Sequence, residues 1–176
     1  LAIRYATALN VPSVNILAGK QPVDADLLPC LNTLAENLKL ACSMLTQHHI
    51  QPVFEMINGT DMPRFLVQNI AQAQEMLEAV KHPALKIQYD CYHMAMMGED
   101  VLSALQENIQ DIGHIQFADN PGRHEPDSGE LDYTTIFKWL QHSAYSGYIA
   151  AEYRPSLASN QSFAWKDKYF PSNQSG

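Results

Sequence analysis

Leu85-Lys86-Ile87-Gln88-Tyr89-Asp90 is the stretch that decides the fold. It is a short strand-like run, it closes on a carboxylate, and a helix-like stretch follows. The same order recurs in Gln51-Pro52-Val53-Phe54-Glu55, Gly113-His114-Ile115-Gln116 and Gly147-Tyr148-Ile149-Ala150-Ala151-Glu152. The closing residues Glu55, Asp90, Gln116 and Glu152 stand 35, 26 and 36 positions apart, one strand–helix unit each. Strands alternating with helices over short connections specify a parallel α/β sheet. In a barrel of parallel strands every strand C-terminus opens on one face, and that face carries the chemistry. Four oxygen ligands converging there suit a hard or borderline divalent cation. Taken singly, each is also readable as a solvated polar residue at a strand end.

On the N-terminal side, Val11 to Gly19 reads as a further strand with a glycine-marked exit, which makes five units. Leu31, Leu34, Leu38 and Leu45 predict a helix over Leu27–His49. Thr60 or Asp61 is expected to cap the next helix, with Pro63 in its first turn, running to about Val80 before His82-Pro83. Cys91 to Met94 then leads to a helix over Glu99–Ile109. A glycine- and proline-rich loop, Asp119 to Glu130, precedes a helix Tyr133–His142 capped by Asp132. A mixed segment surrounds Phe163-Ala164-Trp165, and residues 171–176 form a polar tail.

A complete eight-stranded barrel takes about 250 residues. The 176 residues are expected to form a single domain too short to close one unaided: either the sheet is open and doubly wound, or the chain is a partial (β/α)8 barrel of about five strand–helix units, the later part of a barrel whose first units are absent. Leu1 to Leu9 reads as the end of a helix rather than the start of a protein, and no Met opens the sequence.

The formal net charge of −8 argues against nucleic acid and against an anionic membrane as partners. It leaves room for a small anionic substrate, because a bound cation reverses the local field. No apolar run approaches the length of a membrane span. No signal peptide is visible, and Cys30, Cys42 and Cys91 read as reduced thiols, so the expected compartment is the cytoplasm. The glycosylation patterns at Asn58, Asn160 and Asn173 are taken as chance matches.

Several stretches resemble the hydroxypyruvate isomerase family of xylose isomerase-like TIM barrels. They are Phe54-Glu55-Met56-Ile57-Asn58, Gln88-Tyr89-Asp90-Cys91-Tyr92-His93-Met94, His114 to Pro126 with its Ala118-Asp119-Asn120-Pro121-Gly122-Arg123 core, Gly129-Glu130-Leu131-Asp132-Tyr133 and Gly147 to Pro155. The resemblance runs from Val11 to about Trp165, and the family's earlier strands have no counterpart here. It implies a reversible conversion of hydroxypyruvate to tartronate semialdehyde through a metal-bound enediolate. Glu55, Asp90, Gln116 and Glu152 would hold the metal, and Glu55 and Glu152 would also move the proton, with their order of action left open. The amide of Gln116, where related sugar epimerases place a His, suits Mg²⁺ or Mn²⁺.

By the same resemblance His93 would contact a substrate oxygen. Arg123 is suited to capture the carboxylate of a 2-oxo or hydroxy acid substrate through its planar fork, and Glu125, placed with it among the substrate-binding residues, would orient it; either is also readable as plain loop charge. Three alternatives stand next to this reading. One is an isomerase or 3-epimerase of the same superfamily acting on a 2-oxo-tetronate, its phosphate or another sugar. Another is an endonuclease of the superfamily, which would need a histidine cluster and a basic groove. The last is a non-catalytic barrel fragment whose open sheet edges invite pairing with another chain, a homo-oligomer included. His48 and His49 are expected at a helix end, and Met94, Met96 and Met97 in packing. Asp24, Asp26, Asp61, Glu75 and Glu78 are expected on solvated faces, and no phosphate-binding glycine loop is present.

Overall fold

In the computed structural model, which describes residues 1–171, five parallel strands curl into a half-barrel. They are β1 (Ser13–Asn15), β2 (Gln51–Glu55), β3 (Lys86–Asp90), β4 (Ile112–Phe117) and β5 (Ile149–Ala151), neighbours in chain order. The helices are α1 (Ala2–Leu9), α2 (Leu27–Thr46), α3 (Ile70–Val80), α4 (Cys91–Met96), α5 (Val101–Asn108), α6 (Tyr133–His142) and α7 (Ala164–Tyr169). Among the described residues this is the expected strand–helix alternation. The last five positions of the polar tail lie outside them.

The register explains why the strand ends meet. Glu55 stands opposite Gln88, Gln88 opposite His114, and Asp90 opposite Gln116. Alternate residues of a strand point to opposite faces. Phe54, Ile87, Tyr89, Ile115 and Phe117 therefore enter the layer beneath the helices, where they are almost wholly buried with Leu38, Cys42, Ala73, Leu105 and Phe137. The intervening residues Glu55, Gln88 and Gln116 face the other way, into the hollow of the half-barrel. Two buried hydroxyls tie strand ends to loops: Tyr89 Oη donates to the Val101 carbonyl (2.8 Å), and Tyr133 Oη to the Ala118 carbonyl (2.6 Å).

The segment after β5 returns to this layer through aromatic contacts. The Phe117 ring meets Phe137 and Trp165 edge-on at centroid distances of 5.1 and 5.2 Å. Edge-to-face pairs of this kind add about 1 kcal/mol each to the apolar burial. They seat α7 against the C-terminal half of β4.

Two helix boundaries differ from the sequence expectation. Neither Thr60 nor Asp61 caps α3. Its N-cap is Asn69, whose side chain accepts from the Gln72 N–H (2.9 Å). Arg64 lies in the left-handed region (φ 66), which a helix does not tolerate, and Ile57 N–H donates to the Val67 carbonyl across the intervening loop. The second difference is α4, an extra helix that starts directly at the end of β3. Asp90 Oδ1 accepts from the Tyr92 N–H (2.9 Å), so the strand-end carboxylate is also a helix cap. Gly98 at φ 76 separates α4 from α5, whose cap is Asp100. Asp132 caps α6 as expected, accepting from the Thr135 N–H at 3.0 Å.

Candidate active site

The C-terminal ends of the strands surround a cavity of about 640 Å³. Its wall includes Asn15, Glu55, Gln88, His93, Gln116, Arg123 and Glu152. Glu55 closes β2, 5% exposed, and its Oε2 accepts from Asn15 Nδ2 at 2.7 Å. Asp90 closes β3 and is fully buried, with Oδ1 engaged as the α4 cap. Among the described residues its Oδ2 has no hydrogen-bond partner, and neither does Asn15 Oδ1. One ligand-capable atom from each of Glu55, Asp90 and His93 lies within 4.8 Å of the other two.

The electrostatics follow from this packing. Burial pushes the Glu55 carboxyl up to about 7, and the nearby Asp90 charge adds to the effect. Burial likewise pushes Asp90 up to about 6, against the Tyr92 N–H that favours its ionised form. Burial, reinforced by the Arg123 charge, pushes His93 down to about 4, so its ring is neutral at physiological pH. Two buried carboxylates side by side with an unpartnered oxygen form a site short of positive charge.

Arg123 supplies part of that charge. Its Nη2 donates to Glu152 Oε2 at 2.7 Å and lies 3.7 Å from the unpartnered Asp90 Oδ2. The guanidinium also lies over the Tyr92 ring, 5.0 Å from its centroid. The loop that presents it is pinned at both ends. Asp119 N–H donates to the His124 carbonyl, Glu130 N–H to the Asn120 carbonyl, and Arg154 N–H to the Arg123 carbonyl. At Gly129 a β-carbon would fall 2.5 Å from both the Asn120 carbonyl oxygen and Asp119 Oδ1, so the loop closes only over a glycine there.

The seven residues singled out from the sequence fall into distinct places. Glu55, Gln116 and Glu152 line the cavity, and Asp90 lies behind its wall within reach of Arg123. Gln116 Oε1 accepts from Gln88 Nε2 (2.6 Å), while Glu152 is half exposed and paired with Arg123. His93 and Arg123 stand beside the carboxylates. Glu125 does not join them. Its two oxygens accept from the Ser156 hydroxyl (2.5 Å) and the Ser156 N–H (3.0 Å), which makes it a clamp between the loop and the segment after β5.

Sequence reasoning missed Asn15, Asn58, Asp61 and Tyr92. Asn15 closes β1 as Glu55 closes β2, so the strand-end rule could have found it. Asp61 is exposed, as expected for a solvated face, but it also accepts from Tyr92 Oη (2.8 Å) and from Asn58 Nδ2 (3.0 Å). The Asn58 bond in particular holds its carboxyl below the usual range.

A parallel, curled sheet with carboxylates and amides gathered at its strand C-termini defines a TIM-barrel-type architecture with its polar site on the expected face. The chain belongs to the xylose isomerase-like TIM barrel family, whose sequence profile matches residues 1–169. It is 39% identical over 168 residues to the hydroxypyruvate isomerase of Escherichia coli (strain K12), a match covering 96% of this chain and 65% of that protein. It is 36% identical over 168 residues to the 2-oxo-tetronate isomerase of Cupriavidus necator, with the same coverage. Among solved structures, a Brucella melitensis protein described as an AP endonuclease of family 2 superposes with a TM-score of 0.90 at 30% identity, over 96% of this chain and 65% of that one. The chain thus spans about two-thirds of the length of these relatives.

Proposed function

We propose that this chain carries the catalytic face of a metal-assisted isomerase of small 2-oxo acids, interconverting hydroxypyruvate and 2-hydroxy-3-oxopropanoate (tartronate semialdehyde). The observation that carries the proposal is one cavity holding two glutamates, Glu55 and Glu152, beside a buried Asp90 oxygen without a partner and an arginine suited to a carboxylate. The donor set fits a divalent cation, since Asp90 Oδ2 is buried, anionic and unsatisfied. Glu55, Asp90, Gln116 and Glu152 would hold magnesium or manganese, which when bound supplies electrostatic stabilisation of the oxyanion formed on proton removal.

The remaining chemistry belongs to the side chains. Hydroxypyruvate presents a CH₂OH carbon next to a carbonyl and a carboxylate. One glutamate removes a proton from that carbon, giving an enediolate. A carboxyl group then returns a proton to the former carbonyl carbon while the terminal hydroxyl proton passes to the central oxygen, leaving an aldehyde at the terminus and a hydroxyl at the centre. Burial holds the Glu55 carboxyl at about 7 in the metal-free site, and a cation held beside it would lower that value and favour the carboxylate that accepts the proton. Arg123 orients the substrate by its carboxylate, and Tyr92 supports the guanidinium from below.

The relatives named for hydroxypyruvate and for 2-oxo-tetronate make chain length the open variable. Turnover of the three-carbon and four-carbon acids, with Mg²⁺ or Mn²⁺ present, separates them. The proposal expects the higher kcat/KM on hydroxypyruvate, and a preference for the four-carbon acid would reassign the substrate. The isomerase reading is favoured over an endonuclease because, among the described residues, His93 is the one histidine in the cavity wall, and the chain carries a net charge of −8.

A further inference from the structure

The loop after β2 makes a short polar chain that ends on the His93 ring. Asn58 is wholly buried, and its amide orientation is fixed by groups that have no choice of role. The Asp61 backbone N–H can only donate, and it donates to Asn58 Oδ1 (2.8 Å). The Asp61 carboxylate can only accept, and it accepts from Asn58 Nδ2 (3.0 Å). Nδ2 is therefore the nitrogen, and its second hydrogen faces His93 Nδ1 at 2.7 Å. The Asn58 backbone N–H points at the same ring nitrogen from 3.4 Å. Two donors aimed at Nδ1 leave it a lone pair and exclude a proton there. The ring hydrogen must then lie on Nε2, which stands 3.8 Å from Asp90 Oδ2, beyond hydrogen-bond length.

We infer that Asn58, anchored by Asp61, is a positioning residue that locks His93 as its Nε2–H tautomer, making the ring a hydrogen-bond donor to a substrate oxygen rather than a ligand of the cation. Nε2 has no lone pair to offer a metal in this tautomer. Although His93 clusters with Glu55 and Asp90 by distance, the cation is left to the oxygen donors. The substrate atom beside the ring is an acceptor, a carbonyl or carboxylate oxygen. Tyr92 completes the chain by donating to the same Asp61 oxygen, and its ring carries Arg123, so the loop holds both substrate-facing donors together. The tautomer is independent of the proposed activity, whereas its use in turnover rests on the isomerase reading.

The test is a nitrogen-15 NMR spectrum of the histidine rings in the full chain at pH 7–8, with His93 assigned by its loss in His93→Gln. The inference expects a protonated Nε2 and a bare Nδ1, unchanged in shift when diamagnetic Mg²⁺ is added to saturation. In Asn58→Leu the lock is gone, and the two nitrogens should show the averaged shifts of a ring exchanging between tautomers. Mg²⁺ affinity should stay at the wild-type value, while kcat/KM falls roughly 10-fold, the weight of one well-made hydrogen bond. An Nδ1–H ring in the wild type, or an Nε2 shift that moves on Mg²⁺ binding, overturns the inference even in an active enzyme. A ring still locked in Asn58→Leu overturns the role of Asn58. If Asn58→Leu does not fold, the wild-type spectrum still decides the tautomer. A wild type without turnover sinks the isomerase reading and leaves the tautomer result standing.

Discussion

Replacing Glu55 by Gln should make the metal-free protein more stable and the metal-bound form unattainable. The reason is the raised carboxyl. Moving its pKa from an ordinary 4.5 to about 7 corresponds to about 3 kcal/mol of preference for the protonated form in the folded state. The sign follows from proton counting. Between pH 4.5 and 7 the folded chain holds a proton on Glu55 that the unfolded chain has released, so stability contributed by this group falls as pH rises through that window. Below it the penalty is absent, and above it the penalty is complete. The amide of Gln keeps the shape and can still accept from Asn15 Nδ2, but carries no charge toward Asp90.

With part of the cost relieved by relaxation, the expected gain at pH 8 is about 2 kcal/mol, and at pH 4.5 close to zero. In a chain of this size that corresponds to a Tm increase of about 4–8 °C at pH 8. Urea unfolding with a chelator present, for both proteins at both pH values, reads the difference directly. Adding Mn²⁺ should then stabilise the wild type in proportion to its saturation and leave Glu55→Gln unmoved. A variant less stable than wild type at pH 8, or a gain equal at the two pH values, would refute the view that Glu55 is held at an electrostatic cost.

Two further outcomes follow from neighbouring contacts. Arg123→Met removes the cation that bridges Glu152 and Asp90, so Mn²⁺ affinity measured by electron paramagnetic resonance at low salt should rise about 10-fold, while KM for the carboxylate substrate rises as well; an unchanged or weaker Mn²⁺ affinity contradicts this. Gly129→Ala places a methyl group against the Asn120 carbonyl and Asp119 Oδ1, and the forced shift should cost about 1–3 kcal/mol in chemical unfolding, a loss that a neutral result would exclude.

Much of this architecture was legible because it rests on local, repeated signals. The run into Asp90 carries strand propensity, a terminal carboxylate and a following helix within a dozen residues, and its repetition at Glu55, Gln116 and Glu152 yields the strand order. Asp132 was readable as a cap for the same reason, since its acceptor reaches only to Thr135. Asp61 was not. The same side chain that could cap a helix instead meets Tyr92, 31 positions away, and a tertiary partner outweighs a local propensity worth about 1 kcal/mol. Glu125 shows the converse error. Its loop placed it beside Arg123 in sequence, but Ser156 takes both its oxygens from 31 positions away. Arg123 was singled out for a substrate carboxylate, and its pairing with Glu152, which follows from the pairing of β4 with β5, was not legible in the sequence.

The central claim is that Glu55 and Glu152 share one proton transfer on a 2-oxo acid. Its most direct test is hydrogen–deuterium exchange into hydroxypyruvate in deuterated water with Mg²⁺ present, followed by proton NMR. The account expects the wild-type protein to wash deuterium into the CH₂OH carbon as the aldehyde product appears, and Glu152→Gln to do neither. Exchange by Glu152→Gln at the wild-type rate would contradict it.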